Sequence, residues 1–253
     1  GFFRYGGKLE SLPCLVEDHV YDDINLTSGN QMVSAGLNNL FGEIIWFYPS
    51  STSDVVNKMV AYNYFDSSIK RPVWTVGTLA RTMWRDSAVF GKPHALEYDA
   101  STDTSFDVVG NTEGRTAYYE HETGTDQNKN GTITAVLSNI SSGDYDITQR
   151  TLRGLGGIAD FRGDGEHIMK IRRFVPDFIS QTGTTRVTLQ LKNYPNSTQG
   201  SSPLGPFDIT TSTTKVDTRA RARAISLKIE NTAVDQSWKL GTFRLDVQPD
   251  GRR

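Results

Sequence analysis

"TRARARAISLKIE", residues 218–230, is the stretch on which the fold turns. Side chains two apart on a β-strand share a face. Arg219, Arg221 and Arg223 therefore line one face, and Ala220, Ala222 and Ala224 the other. The arginine parity continues as Ile225, Leu227 and Ile229, while Ser226, Lys228 and Glu230 fall on the alanine side. One straight strand would pass from charged to apolar on a single face. Either the strand leaves a core midway, or a bulge swaps its faces.

Working outward, strand signals recur at close spacing and helical periodicity is nearly absent. Short strands are expected at 14–18 and 32–34, and a strong apolar run, "EIIWFY", at 43–48. Further strands are expected at 59–64, 71–76, 79–84, 96–98, 117–120 and 134–137. Residues 53–61, with Ser53 as N-cap, are the one helix candidate, and a loop leading into the strand at 59–65 is preferred. After about residue 140 the texture changes. Residues 141–165 read as an extended connection, followed by longer strands at 166–175, 185–193, 219–230 and 242–248. Residues 194–214, "YPNSTQGSSPLGPFDITTSTT", read as a long exposed loop. The expectation is an all-β, β-propeller-like antiparallel architecture with that loop protruding. Its parts are blades over 1–140 and an antiparallel region over 141–253, with a soft boundary between them.

Composition narrows function. The chain has 253 residues, 36% of them apolar, 23 glycines and a net charge of −2. It is no polycation, so any nucleic-acid contact would be local or mere passage. One cysteine, Cys14, excludes an intrachain disulfide, and it reads as a buried bystander in a strand. No apolar stretch is long enough to cross a bilayer. The opening "GFFRYGGKLE" has no signal-peptide layout and reads like the interior of a longer chain.

Candidate chemistry is sparse. Asp126, Asn128, Asn130 and Gly131 match the opening of a calcium loop, but Leu137 stands where its bidentate glutamate belongs; a polar hairpin turn is the plainer reading. "EDHVYDD" at 17–23 and "YEHET" at 119–123 place histidines beside carboxylates, and a surface loop and a strand end explain both. No nucleophile elbow, phosphate loop or dinucleotide fingerprint occurs. No catalytic residue, metal or cofactor is expected. Trp46, Tyr48, Trp74, Trp84, Tyr118 and Tyr119 are either a stacking platform or core, with core favoured. The arginine strip is either a nucleic-acid contact or an interface ladder paired to carboxylates, with the interface favoured.

Several stretches together resemble the tail hub, or nozzle, proteins of short-tailed bacteriophages, also called packaged-DNA stabilisation proteins. They include "GKLESLPCLVEDHVYDDIN" (7–25), "NNLFGEIIWFYPSSTS" (38–53), "VGTLARTMWRDSAVFGKPHAL" (76–96), "IMKIRRFVPDF" (168–178) and "WKLGTFRLDVQPDGRR" (238–253). The resemblance implies a propeller-like structural subunit, not an enzyme, in a homo-hexameric ring of the virion's short tail, assembled in the host cytoplasm. Such a ring sits below the portal and its adaptor and extends and closes the DNA channel with a needle or plug. It passes genomic DNA without sequence-specific binding and offers surfaces to tail fibres or spikes. On that resemblance Arg172, Arg173, Arg219, Arg221 and Arg223 are interface candidates. Tyr194, Pro203, Pro206 and Phe207 are docking-loop candidates. The alternative is a carbohydrate-binding or carbohydrate-degrading propeller, with Glu120, Glu122 and Asp126 as its carboxylates.

Overall fold

The computed structural model describes residues 1–27, 32–68, 71–87, 91–99, 115–129, 131–147, 167–194 and 203–251. The protein is predominantly β, and every pairing among these residues is antiparallel. It divides into two compact units, Gly1–Thr123 and Gly124–Arg253.

In the first unit, β1 (Phe3–Tyr5) and β2 (Leu9–Ser11) form a hairpin ahead of a short helix, α1 (Glu17–Asp23). Strands β3 (Ser34–Asn38), β4 (Glu43–Tyr48), β5 (Lys58–Ser68) and β6 (Arg71–Gly77) follow as a four-stranded sheet in chain order. Strands β7 (Met83–Arg85), β8 (His94–Asp99) and β9 (Arg115–Glu120) make a three-stranded sheet, also in chain order.

Strand β4 is apolar on both faces because both are covered. Ile45 and Phe47 pack with Val56, Ala61 and Trp84. Trp46 and Tyr48 pack with Val60, Trp74 and Val20 of α1. The Trp84 indole lies against the backbone of Gly36, where a Cβ would stand 2.5 Å from the ring. Its N–H donates to the Leu37 carbonyl at 2.9 Å. Glycine is therefore required at 36 for close approach of the two sheets.

In the second unit, β10 (Asp126–Lys129) and β11 (Thr132–Ala135) form a hairpin. One sheet is ordered β12 (Asn139–Ser141), β18 (Ala224–Glu230), β15 (Thr185–Lys192), β16 (Pro203–Ile209). Another is ordered β17 (Val216–Ala222), β13 (Met169–Val175), β20 (Arg244–Pro249). Strands β14 (Phe178–Thr182) and β19 (Ser237–Leu240) form a third, small sheet. Met169, Ile171 and Phe174 of β13, Val187 and Leu189 of β15, and Ile225 and Ile229 of β18 share one core, so the two larger sheets face each other across it.

The strip 218–230 is two strands. Strand β17 ends at Ala222, and β18 begins at Ala224 in the other sheet. Thr218, Ala220 and Ala222 are buried; beyond the break it is Ile225 and Ile229. The buried parity shifts by one at Arg223, whose backbone N–H donates to the Lys192 carbonyl at 3.0 Å. The faces do swap, but through a strand break that carries the chain from one sheet to the other and not through a bulge.

Several expectations are corrected. Residues 14–18 are not a strand: Cys14 lies in irregular backbone and 17–23, read as a surface loop, is the helix α1. The strand expected at 79–84 is confined to Met83–Arg85. The loop expected over 194–214 contains β16, whose Ile209 is buried. Proline is tolerated there because β16 is an edge strand. Most of 141–165, and residues 195–202 of the loop, lie outside the described residues. The preference for strand over helix at 59–64 agrees with β5, and contacts divide the chain at Thr123/Gly124, since β10, β11 and β12 side with the second unit.

Gly36→Ala should cost about 1–3 kcal/mol through overpacking against Trp84. Gly124→Ala, where an added Cβ meets nothing within 4 Å, serves as the neutral control. Urea unfolding of both variants reads the difference.

Candidate functional site: a basic sheet face

Alternation on β13, β17 and β20 sends apolar side chains into the core and polar ones outward. The outward set carries Lys170, Arg219, Arg221, Asp217, Arg244, Asp246 and Gln248, all exposed. Register decides who meets whom. Arg173 stands opposite Asp217 on one side and Asp246 on the other, with Nε 3.5 and 3.6 Å from their carboxylates. Lys215 reaches Asp217 at 3.1 Å, and Arg221 pairs with Asp250. Arg244 reaches Asp177 at 3.5 Å.

Lys170 stands directly opposite Arg221. Like charges directly opposite destabilise a sheet. Register shifts between Ile171 and Arg173: against β20 the exposed Arg172 is the extra residue of a bulge, whereas against β17 the extra residue lies on β17, where Thr218 and Arg219 span the step. Lys170, Arg172 and Arg219 have no carboxylate partner among the described residues. The face thus combines neutralised pairs with three uncompensated cations.

The structure brings four of the five interface candidates together, Arg172, Arg173, Arg219 and Arg221, on this sheet. Arg223 sits at the crossing between sheets, half-buried. The docking candidates do not form a loop tip. Pro203, Pro206 and Phe207 belong to β16, and Phe207 packs edge-on against Phe174 at 5.4 Å, which makes it a core residue. Tyr194 is exposed just beyond β15.

Sequence reasoning missed a buried cluster in the first unit. Arg81 is 3% exposed. Its Nε–H donates to His121 Nε2 at 2.9 Å, and its NH1 contacts Glu97 at 3.0 Å and donates to the Ala80 carbonyl at 2.7 Å. The guanidinium lies 4.0 Å over the Tyr119 ring. An arginine inside an apolar strand signal was the one clue to it. His121 must present an unprotonated Nε2 to that donor. Burial first, then the charges of Arg81 and His94, hold its pKa down from the ordinary 6.5 to about 4.

The remaining candidates resolve individually. Tyr48 and Tyr119 are buried, Trp46, Trp74 and Trp84 half-buried, and Tyr118 is exposed and stacked on His94. Asp126 and Asn128 lie on the hairpin β10–β11, where Asn128 Oδ1 accepts the Gly131 N–H at 2.9 Å and Gly131 takes φ +82°. Asp126 also accepts the Asp235 N–H at 2.7 Å. Glu120 pairs with Lys92 at 3.2 Å, and Glu122 accepts from Asn38 at 3.2 Å. Cys14 is half-buried, and burial pushes its thiol pKa up. Among the described residues no three His, Cys, Asp or Glu converge as metal ligands, and no helix is long and apolar enough to cross a membrane. No family model matches the chain, and no curated protein matches it.

The unfolded chain takes up a proton at His121 near pH 6.5 that the fold refuses until about 4. Stability from this site is therefore full above pH 6.5 and is lost as pH falls through that window. His121→Gln, which can still accept from Arg81, should flatten the slope of the thermal midpoint over the same range.

Proposed function

We propose that this protein is a ring-forming structural subunit of a short phage tail, a nozzle that extends and closes the DNA channel below portal and adaptor. The resemblance of its sequence stretches supports the family. The two chain-ordered meanders β3–β6 and β7–β9 support the finer reading of propeller blades, because blades are consecutive up-and-down strands. Its partners would be further copies of itself, the adaptor, a needle or plug and fibres or spikes, with genomic DNA in transit.

The observation that carries the proposal is the pairing of Lys170 against Arg221 beside uncompensated Arg172 and Arg219. Asp250 offsets Arg221, but Lys170, Arg172 and Arg219 beside it keep their charge without a carboxylate among the described residues. Like charge held on a rigid exposed face fits an acidic partner surface, and a closed ring presents a different face of the neighbouring copy to each such patch. The net charge of −2 means that acidic surface outweighs basic across the chain as a whole. The same balance suits a conduit, since a strongly basic lumen would hold DNA through counterion release.

Lys170→Glu should raise the stability of the isolated chain by about 0.2–1 kcal/mol, because it converts a repulsive cross-strand pair into an attractive one. It should at the same time shift the native assembly toward smaller species. Native mass spectrometry reads the assembly, with a closed ring near six copies expected for the unaltered protein. Monomers at every concentration, or rings indifferent to Lys170→Glu and Arg219→Ala, would refute the proposal.

A further inference from the structure

A groove of about 720 Å³ opens in the first unit between the hairpin β1–β2 and the sheet β3–β6. Trp46, Tyr62 and Tyr64 line it from the sheet, and Phe3, Arg4 and Glu10 from the hairpin. The rings are fixed by one another. Trp46 and Trp74 lie nearly parallel at 6.0 Å and 28°, and Tyr62 sits 4.9 Å from Trp74. Trp74 donates its indole N–H to the Pro13 carbonyl at 2.8 Å. The indole N–H of Trp46 and the hydroxyl of Tyr62, by contrast, have no hydrogen-bond partner among the described residues. Both side chains are half-buried and neither polar atom is sealed from solvent, so both are open to a ligand.

The hairpin wall adds an oriented acceptor. Arg4 directs Nε and one terminal nitrogen to the same oxygen, Glu10 Oε2, at 2.8 and 2.6 Å. Glu10 Oε1 accepts no hydrogen bond among the described residues. The site therefore offers flat ring faces, two donors and one oriented carboxylate.

That inventory selects among ligand classes. A pyranose ring has a C–H face, which suits the electron-rich face of an aromatic ring, and hydroxyls at its edge, which both donate and accept. A phosphate would meet the Glu10 carboxylate, and a wholly apolar segment would leave both donors unpaired. We propose that this groove binds a short oligosaccharide, stacked on Trp46 and Tyr62 and hydrogen-bonded by the Trp46 N–H, the Tyr62 hydroxyl and Glu10. The volume lies within the range of ordinary ligand pockets. Recognition without hydrolysis is the role, because Glu10 is the one carboxylate lining the groove among the described residues and glycosidic cleavage uses two. This inference does not depend on the ring reading, since every residue in it belongs to one chain.

The test is isothermal titration calorimetry of the full chain with three probes: maltohexaose, chitohexaose and lipid-free O-polysaccharide from bacterial lipopolysaccharide. Saturable binding of at least one is expected. Tyr62→Phe and Trp46→Phe should each weaken it about fivefold to tenfold, the loss of one hydrogen bond. Glu10→Ala, at an exposed position of the hairpin, should weaken it comparably, with circular dichroism confirming that each variant is folded. No saturable heat from any probe, or equal binding by Glu10→Ala and Tyr62→Phe, would overturn the proposal.

Discussion

The second unit depends on a change of parity at one residue. Strand β17 must bury Thr218, Ala220 and Ala222, and β18 must bury Ile225 and Ile229, although only one residue, Arg223, separates Ala222 from Ala224. A regular strand cannot do both. Spending Arg223 on the crossing lets the chain leave one sheet and enter the other, and its backbone N–H finds the Lys192 carbonyl on the way. Both faces of the sandwich core follow from that step, and so does the outward direction of Arg219 and Arg221. Were the parity kept, the arginines and the isoleucines would compete for the same side.

The first unit solves a different problem. Strand β4 has no polar face, so something must cover it twice. Trp84 covers one side by lying on Gly36, and α1 with Trp74 covers the other. Behind Trp84, its ring 4.6 Å from His121, the Arg81–Glu97–His121 cluster ties the segment before β7 to β8 and β9. A buried ion pair of this kind is weak support for stability, but breaking one partner leaves a buried charge alone. Its worth is in fixing geometry.

Much of this was legible in the sequence, and the failures have physical causes. The apolar run at 43–48 and the alternation at 185–193 showed strands because burial on two faces and on one face leave different periods. The shared face of two arginines was legible for the same reason: alternation alone places Arg219 and Arg221 on one side of the strand. Their opposition to Lys170 was not, since register between distant strands is fixed by tertiary packing. Strand β16 was read as loop because Pro203, Gly205 and Pro206 are turn residues in isolation; only its edge position makes them acceptable. Helix α1 was missed because a seven-residue helix with Val20 as its one buried side chain leaves almost no periodic signal. Of the rings that line the groove only Trp46 was singled out, and it was read as core; Tyr62, Tyr64 and the hairpin that makes the surface concave left no signal of their own.

Strand β16 has one more consequence. It forms an outer margin of its sheet, where unpaired amides would otherwise offer a template to any extended segment. Pro203 and Pro206 carry no N–H, and Gly205 takes φ +109°, so the margin is both donor-poor and kinked. A foreign strand cannot zip along it. In this way the two prolines blunt that margin against edge-to-edge pairing.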